Sequence, residues 1–284
     1  MDAKIPIAAI ILTYNEEKNI ENCLSSIEDL VQEVFVVDSF STDNTIEICR
    51  RYTDKIFQHP FETHAKQWNW SFNNLNLSYE WCMALDADQA ISEKLKRELR
   101  ELFSNRHLDF NGYYINRRQI FRGKWIRFGG YYPKYMLKLF KIKNALCDEN
   151  ELVDYRFYVS GKIGKLKGCI IENNKNEDDI TFWLEKHIRF IRLNSEELTR
   201  YRQIKGHWKI RPSLWGSYDS RTLWLKDFYY ALPLYIRPFL FFIFRYFILL
   251  GFLDGANGFL FHFLQGLWYR LMIDIKIAEV KREP

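Results

Sequence analysis

Five cysteines stand in 284 residues, and none belongs to a Cys-x-x-Cys pair. That scatter excludes a disulfide framework and a thiolate metal knuckle. It fits a reducing cytoplasm in which Cys23, Cys49, Cys82, Cys147 and Cys169 are small buried hydrophobes. The opening residues do not read as a signal peptide, which points the same way. No uninterrupted apolar run reaches the roughly 20 residues of a simple membrane span. RNP-like and helix-turn-helix patterns are missing, so nucleic acid is not an expected partner. Internal repeats and low-complexity linkers are missing as well.

What is present is a large apolar and aromatic content, 48% and 17% of the chain, enough for a sizeable core. The net charge of +5 is unevenly placed. Residues 205–284 hold 11 Lys+Arg against 6 Asp+Glu, so they carry all of it and residues 1–204 are neutral. A basic, aromatic tail suits an anionic membrane surface.

Ile5–Leu12 is an apolar run followed by Thr13-Tyr14-Asn15-Glu16-Glu17, a strand and then a loop. A helix is expected near Lys18–Leu30, a second strand at Glu33–Val37 ending on Asp38, and a second helix over Thr45–Tyr52. Lys55–Gln58 reads as a short strand, His64–Leu75 as a helix, Trp81–Leu85 as a buried strand and Ser92–Phe103 as an amphipathic helix. This alternation predicts an α/β fold with a mostly parallel sheet flanked by helices. Ligands of such sheets lie beyond the carboxyl ends of the strands, where Thr13, Asp38 and Asp86 all stand. Beyond residue 110, Gly112–Arg118, Met136–Lys141 and Arg156–Lys167 read as a mixed or antiparallel extension. A helix is expected from Ile180 to about Arg202.

Asp86-Ala87-Asp88 closes the buried strand. Two carboxylates at i and i+2 can turn toward one Mg2+ or Mn2+, which takes carboxylate oxygens together with phosphate oxygens. From Phe228 the chain becomes membrane-like. Phe239–Leu253 is nearly all apolar, but Arg245 interrupts it, and Ala256–Ile273 carries His262, Gln265 and Arg270. Two amphipathic or shallowly inserted helices are expected. A buried helical pair and a transmembrane hairpin stay open as alternatives. The expected domains are 1–227 and 228–284.

Thr13-Tyr14-Asn15-Glu16, Val36-Val37-Asp38-Ser39-Phe40-Ser41-Thr42-Asp43 and Leu85-Asp86-Ala87-Asp88, taken in order, resemble the inverting glycosyltransferases of family 2. The bacterial branch that builds lipopolysaccharide cores and extracellular polysaccharides is similar also at Gln67-x-Asn69-Trp70, Gly129–Pro133, Leu139-Phe140, Trp183–His187 and Gly251–Gly255. The resemblance implies a GT-A (Rossmann-like) fold, a nucleotide-sugar donor (UDP by resemblance) and Mg2+ or Mn2+. It implies donor contacts at Thr13, Tyr14, Asn15, Glu16, Asp38, Gln67, Asn69, Asp86, Ala87 and Asp88, with Asp88 as metal ligand. Ser41, Thr42 and Asp43 are expected to cap the following helix.

An inverting displacement needs a base to take the acceptor's proton. Glu149, Glu151, Asp154, Glu172, Asp178 and Asp179 are candidates. Asp154 and then Glu151 are favoured, because that branch keeps an acid ahead of the next strand. Arg117, Arg118 and Arg122, with Lys124, Arg127, Trp125, Tyr131 and Tyr132, suggest a grip on a phosphorylated acceptor or on the donor diphosphate, or a sugar-stacking surface, against a plain solvated basic face. The expected reaction moves a hexose to a lipid-linked saccharide at the cytoplasmic face of the inner membrane. Transfer to polyprenyl phosphate, a nucleotidyltransferase and a non-catalytic scaffold are the alternatives. The nucleotidyltransferase is disfavoured by the lack of a Gly-rich basic loop after the first strand.

Overall fold

The computed structural model describes residues 3–104, 108–153, 155–204 and 211–280. It divides into two compact units, residues 1–125 with 132–179, and residues 126–131 with 180–284. The boundary therefore lies at 179/180 and not at the expected 227/228. The physical reason is the long helix α5 (Ile180–Ile204), whose Leu198 packs with Ile273 and Ile277 of α9 (Tyr269–Val280).

The first unit is built on a nine-stranded sheet. Its first half runs β3 (Ile56–Gln58), β2 (Val31–Asp38), β1 (Ile5–Thr13), β4 (Trp81–Asp86), all parallel. β8 (Lys134–Lys141) then pairs antiparallel with both β4 and β6 (Gly112–Phe121). β11 (Ile163–Glu172) lies parallel to β6, and β5 (Gln89–Ile91) closes the edge antiparallel to β11. The parallel half is the expected one, and β6, β8 and β11 supply the mixed extension expected beyond residue 110. β7 (Lys124–Ile126) pairs β6 through the turn Arg122-Gly123. Both turn residues have positive φ (49° and 73°), the backbone of a tight two-residue hairpin. β9 (Leu146–Cys147) and β10 (Phe157–Tyr158) form a separate small ladder.

β1 shows why its sequence is continuously apolar. Ile7, Ala9 and Ile11 face a core with Ile20, Cys23, Leu24 and Ile27 of α1 (Ile20–Ile27) and Leu95 and Leu99 of α4 (Glu93–Ser104). Ala8, Ile10 and Leu12 face the other core, with Ala65 and Trp68 of α3 (His64–Asn74). Alternation along the strand sends side chains into two buried layers, so no position from Ile7 to Leu12 is free to be polar. α4 approaches β11 closely at Gly168, where an added Cβ would stand 2.4 Å from the Leu95 Cα. The short α2 (Thr45–Cys49) follows β2.

The second unit is helical. After α5 come α6 (Tyr218–Ala231), α7 (Ile236–Ile243), α8 (Gly255–Phe261) and α9. α7 continues as a π-helical turn over Phe244–Ile248, and a second π-helical stretch covers His262–Trp268. No single described helix is long and apolar enough to cross a membrane. Ile236–Ile248 and Gly251–Val280 meet that test only as a pair, bent by 70°. The segment 126–131 is held inside this unit. Asp254 accepts the backbone N–H groups of Arg127 and Phe128, and Arg245 donates to the Gly129 carbonyl while its guanidinium covers the Tyr131 ring at 4.0 Å. Gly129 has φ 67°, and a Cβ there would strike the His262 ring. Only glycine satisfies both conditions.

Candidate functional site

The sheet register gathers the three sequence motifs. Thr13 pairs with Asp38 across β1 and β2, and Leu12 pairs with Asp86 across β1 and β4. The loops that leave these strands are laced to one another. Asn15 N–H donates to Ser41 Oγ at 2.8 Å, Thr42 N–H to Asn15 Oδ1 at 2.8 Å, Glu16 N–H to Thr45 Oγ1 at 2.8 Å and Glu17 N–H to Asp43 at 3.1 Å. Asp43 also accepts the Thr45 N–H at 3.0 Å, a turn just before α2, but Asn44 at the cap position makes no side-chain cap bond, and Ser41 and Thr42 bond Asp38 and Asn15 instead of capping the helix. Asn15 adopts φ 53°, a left-handed backbone that asparagine tolerates. Asn176 donates to the Asn15 carbonyl, and Asn19 bonds Glu16, Asn174 and the Lys175 N–H. The sequence reading missed this asparagine cluster, because its members lie more than 150 positions apart.

Several expected ligand contacts prove to be internal supports. Asp38 is fully buried, and its carboxylate accepts from Ser41 Oγ, Ser41 N–H and Gln58 Nε2. Gln67 is 1% exposed and is bound to His59 and Ser39. Asn69 exchanges hydrogen bonds with Cys147 and donates to Glu149. These residues hold the walls of the crevice. By contrast Thr13 is buried with a hydroxyl that has no partner among the described residues. Tyr14 is exposed at the end of β1. Phe40, which was not singled out from the sequence, is equally exposed after β2 and held at φ 62°. Its only signal was one aromatic residue inside a polar loop. A bulky side chain with that backbone is strained, a feature that clusters at ligand clamps.

The two carboxylates of Asp86-Ala87-Asp88 are unlike. Asp86 accepts Lys138 Nζ at 3.0 Å and Tyr155 Oη at 2.6 and 2.8 Å. Lys138 also donates to Tyr155 Oη at 2.9 Å, which closes a triangle. Burial pushes the Asp86 carboxyl up, but Lys138, His64 and Tyr155 outweigh it and hold it below the usual carboxylate range. Burial and Asp86 push the Tyr155 phenol well up, so it stays a donor. The His64 ring stacks on Tyr155 at 5.4 Å. The backbone of Asp86 is fixed too, since its N–H donates to Gln89 and Gln89 donates to Glu172. Asp88 is half-buried, and its carbonyl accepts the Asn173 N–H.

Two of the acids considered as base, Glu151 and Glu172, are held in ion pairs. Glu151 is 3% exposed and is occupied by Arg156 and Tyr158, so it is not placed to take an acceptor's proton. This corrects the sequence reading. Asp154 lies outside the described residues. Glu172 receives Arg117 Nη1 on both oxygens at 2.8 and 3.0 Å. Arg117 is thereby committed to an internal ion pair and does not serve the expected acceptor grip. Arg118 lies over the Trp125 ring at 4.7 Å, Tyr132 meets that ring edge-on at 4.9 Å, and Arg122 is exposed at the hairpin tip. Tyr131 packs with Phe261 in the second unit.

A family model described as "Glycosyl transferase family 2" matches residues 8–160. An uncharacterised glycosyltransferase of Rickettsia typhi is 30% identical over 118 residues, which is 41% of this chain and 40% of that one. The lipopolysaccharide core biosynthesis glycosyltransferase LpsC of Rhizobium meliloti is 31% identical over 109 residues, 37% of this chain and 39% of that one. The chain thus spans about two-fifths of the length of these relatives. Residues 1–349 of TarS from S. aureus, solved with UDP, align over 98% of this chain and 93% of that one, at 16% identity and a TM-score of 0.43.

Proposed function

Since this chain belongs to glycosyltransferase family 2, we propose that it transfers a hexose, with inversion, from a nucleotide diphosphate sugar to a saccharide hydroxyl. The register that sets Thr13 beside Asp38 and Leu12 beside Asp86 carries the proposal. It gathers a polar hydroxyl, two laced loops and a pair of carboxylates at the carboxyl ends of three parallel strands, where such sheets bind ligands.

In this reading the nucleoside lies against Tyr14 and Phe40, and the Thr13 hydroxyl supplies a hydrogen bond. Asp38 keeps the loop Ser39–Asp43 in shape. Asp86, already ionised, accepts from a ribose or sugar hydroxyl. Asp88 would hold Mg2+ or Mn2+, completed by diphosphate oxygens and water. Among the described residues no group of three or more His, Cys, Asp or Glu is gathered for a metal, and a cation that keeps several waters and phosphate ligands suits such a sparse site. When bound, the cation balances the charge that develops on the leaving diphosphate. With Glu151 and Glu172 tied up in ion pairs, Asp154 is the favoured base. Arg118 and Arg122, beside Trp125 and Tyr132, are the candidate acceptor contacts.

The acceptor is proposed to be a lipid-linked saccharide of a surface polysaccharide, reached at the cytoplasmic face of the inner membrane. Supporting this is an apolar face on the second unit, where Phe239, Leu240, Ile243, Phe244, Phe247 and Ile248 are exposed. Exposed apolar surface on this scale marks an interaction site, and a bilayer-bound acceptor favours an enzyme parked on the membrane. The relation to a lipopolysaccharide core enzyme supports the same acceptor class.

The test is turnover of a panel of nucleotide sugars with lipid extracts, following nucleotide diphosphate release. Release from one donor, dependent on lipid-linked saccharide, is expected. Release that needs only polyprenyl phosphate would replace the acceptor. No release from any donor with any extract would contradict the reading.

A further inference from the structure

Lys138 is 1% exposed, in the middle of β8 and inside the central sheet. A lysine so placed needs a counter-charge, because burying an unpaired ammonium is costly. Its partner is Asp86 at 3.0 Å, 52 positions away. The ammonium also stands 5.2 Å from the Tyr155 ring and 5.9 Å from the Phe157 ring, which wall it from water. A hydrophobic side chain would fill this place in a sheet concerned only with stability.

We propose that Lys138 is a positioning residue of the donor site. It neutralises Asp86 and fixes that carboxylate as a hydrogen-bond acceptor rather than a metal ligand. This rests on the donor-site reading above. The Lys138 ammonium repels a bare divalent cation and attracts a diphosphate brought to the same crevice. Lys138 therefore weakens the site for the bare cation and strengthens it for the nucleotide diphosphate. A residue that merely props up the sheet would change both affinities in the same direction.

The experiment is calorimetry on the full chain with Mn2+ alone, and with UDP in the presence of saturating Mn2+. The proteins compared are wild type, Lys138→Arg and Lys138→Met. Lys138→Met is expected to bind UDP about tenfold more weakly while binding Mn2+ alone as tightly as wild type or more so. Lys138→Arg, which keeps the charge, is expected to stay within about threefold of wild type on both. Should Lys138→Met not fold, Asp86→Asn is compared with Asp86→Asn/Lys138→Met, where no buried carboxylate is left unpaired. The double variant is then expected to bind Mn2+ more tightly and UDP more weakly than the single. Unchanged UDP affinity on losing Lys138, or parallel loss of both affinities, overturns the inference. Absence of Mn2+-dependent UDP binding in the wild type would instead overturn the donor-site reading itself.

Discussion

Arg237 and Asp274 form a forked ion pair in which the side chains are 3% and 1% exposed. Asp274 accepts the Tyr235 N–H as well, and the Arg237 guanidinium packs against the rings of Tyr229 and Tyr230 at 5.2 and 5.4 Å. The pair ties the start of α7 to α9. Removing one partner leaves a buried charge unpaired, at a cost of about 3–5 kcal/mol. Arg237→Met and Asp274→Leu should each lower the thermal midpoint sharply, and the double variant should recover most of the loss. A double variant as unstable as the worse single one would show that the charges themselves are needed.

Acid should loosen the first unit through Glu172. Burial pushes its carboxyl up, but Arg117 and Gln89 outweigh this and hold it below the usual carboxylate range. A lowered folded pKa stabilises the protein above the unfolded value of roughly 4.3, and the benefit is lost as pH falls through the folded value. Glu172→Gln should therefore be less stable than wild type at pH 7, and the gap should narrow as pH falls below about 4. Thermal midpoints between pH 3 and 7 measure this. A gap independent of pH would contradict it.

None of the five cysteines is in a disulfide, and all are buried. Burial pushes the Cys49 thiol up to about 12 and raises Cys23 and Cys82 as well. The native protein should resist a thiol reagent at neutral pH and titrate five groups only after denaturation. Rapid labelling of one native thiol would place that cysteine at the surface.

The exposed apolar face predicts a membrane phenotype. Phe244→Glu/Phe247→Glu changes two side chains that are about half exposed, so folding should be spared. Flotation with anionic vesicles should fall several-fold while UDP affinity stays unchanged. Undiminished flotation would move the membrane contact elsewhere.

The parallel half of the fold was legible because both its faces are buried. β1, β2 and β4 had to be apolar runs, and their polar ends marked the crevice. Asp86-Ala87-Asp88 was legible for the same reason, as carboxylates where a buried strand surfaces. The division of labour within it was not, because the difference comes from Lys138 and Tyr155, brought to Asp86 by an antiparallel crossover that no local pattern encodes. Arg117 misled in the same way, since its partner Glu172 lies 55 positions away. Glu151 did not, because Arg156 is only five positions on and that ion pair was simply not read. The strand expected at Arg156–Lys167 proved to be two pieces, β10 and then β11, because Gly161 turns the chain at φ 101° between them. The helix α6 went unseen, since it has no sustained apolar stripe.

The most direct measurement is calorimetry of UDP with the full chain in Mn2+ and again in EDTA, repeated on Asp88→Ala. The account predicts binding in Mn2+, loss of at least about a hundredfold in affinity in EDTA, and a similar loss in Asp88→Ala with Mn2+ present. UDP binding that is indifferent to both the metal and Asp88, in folded protein, would contradict it.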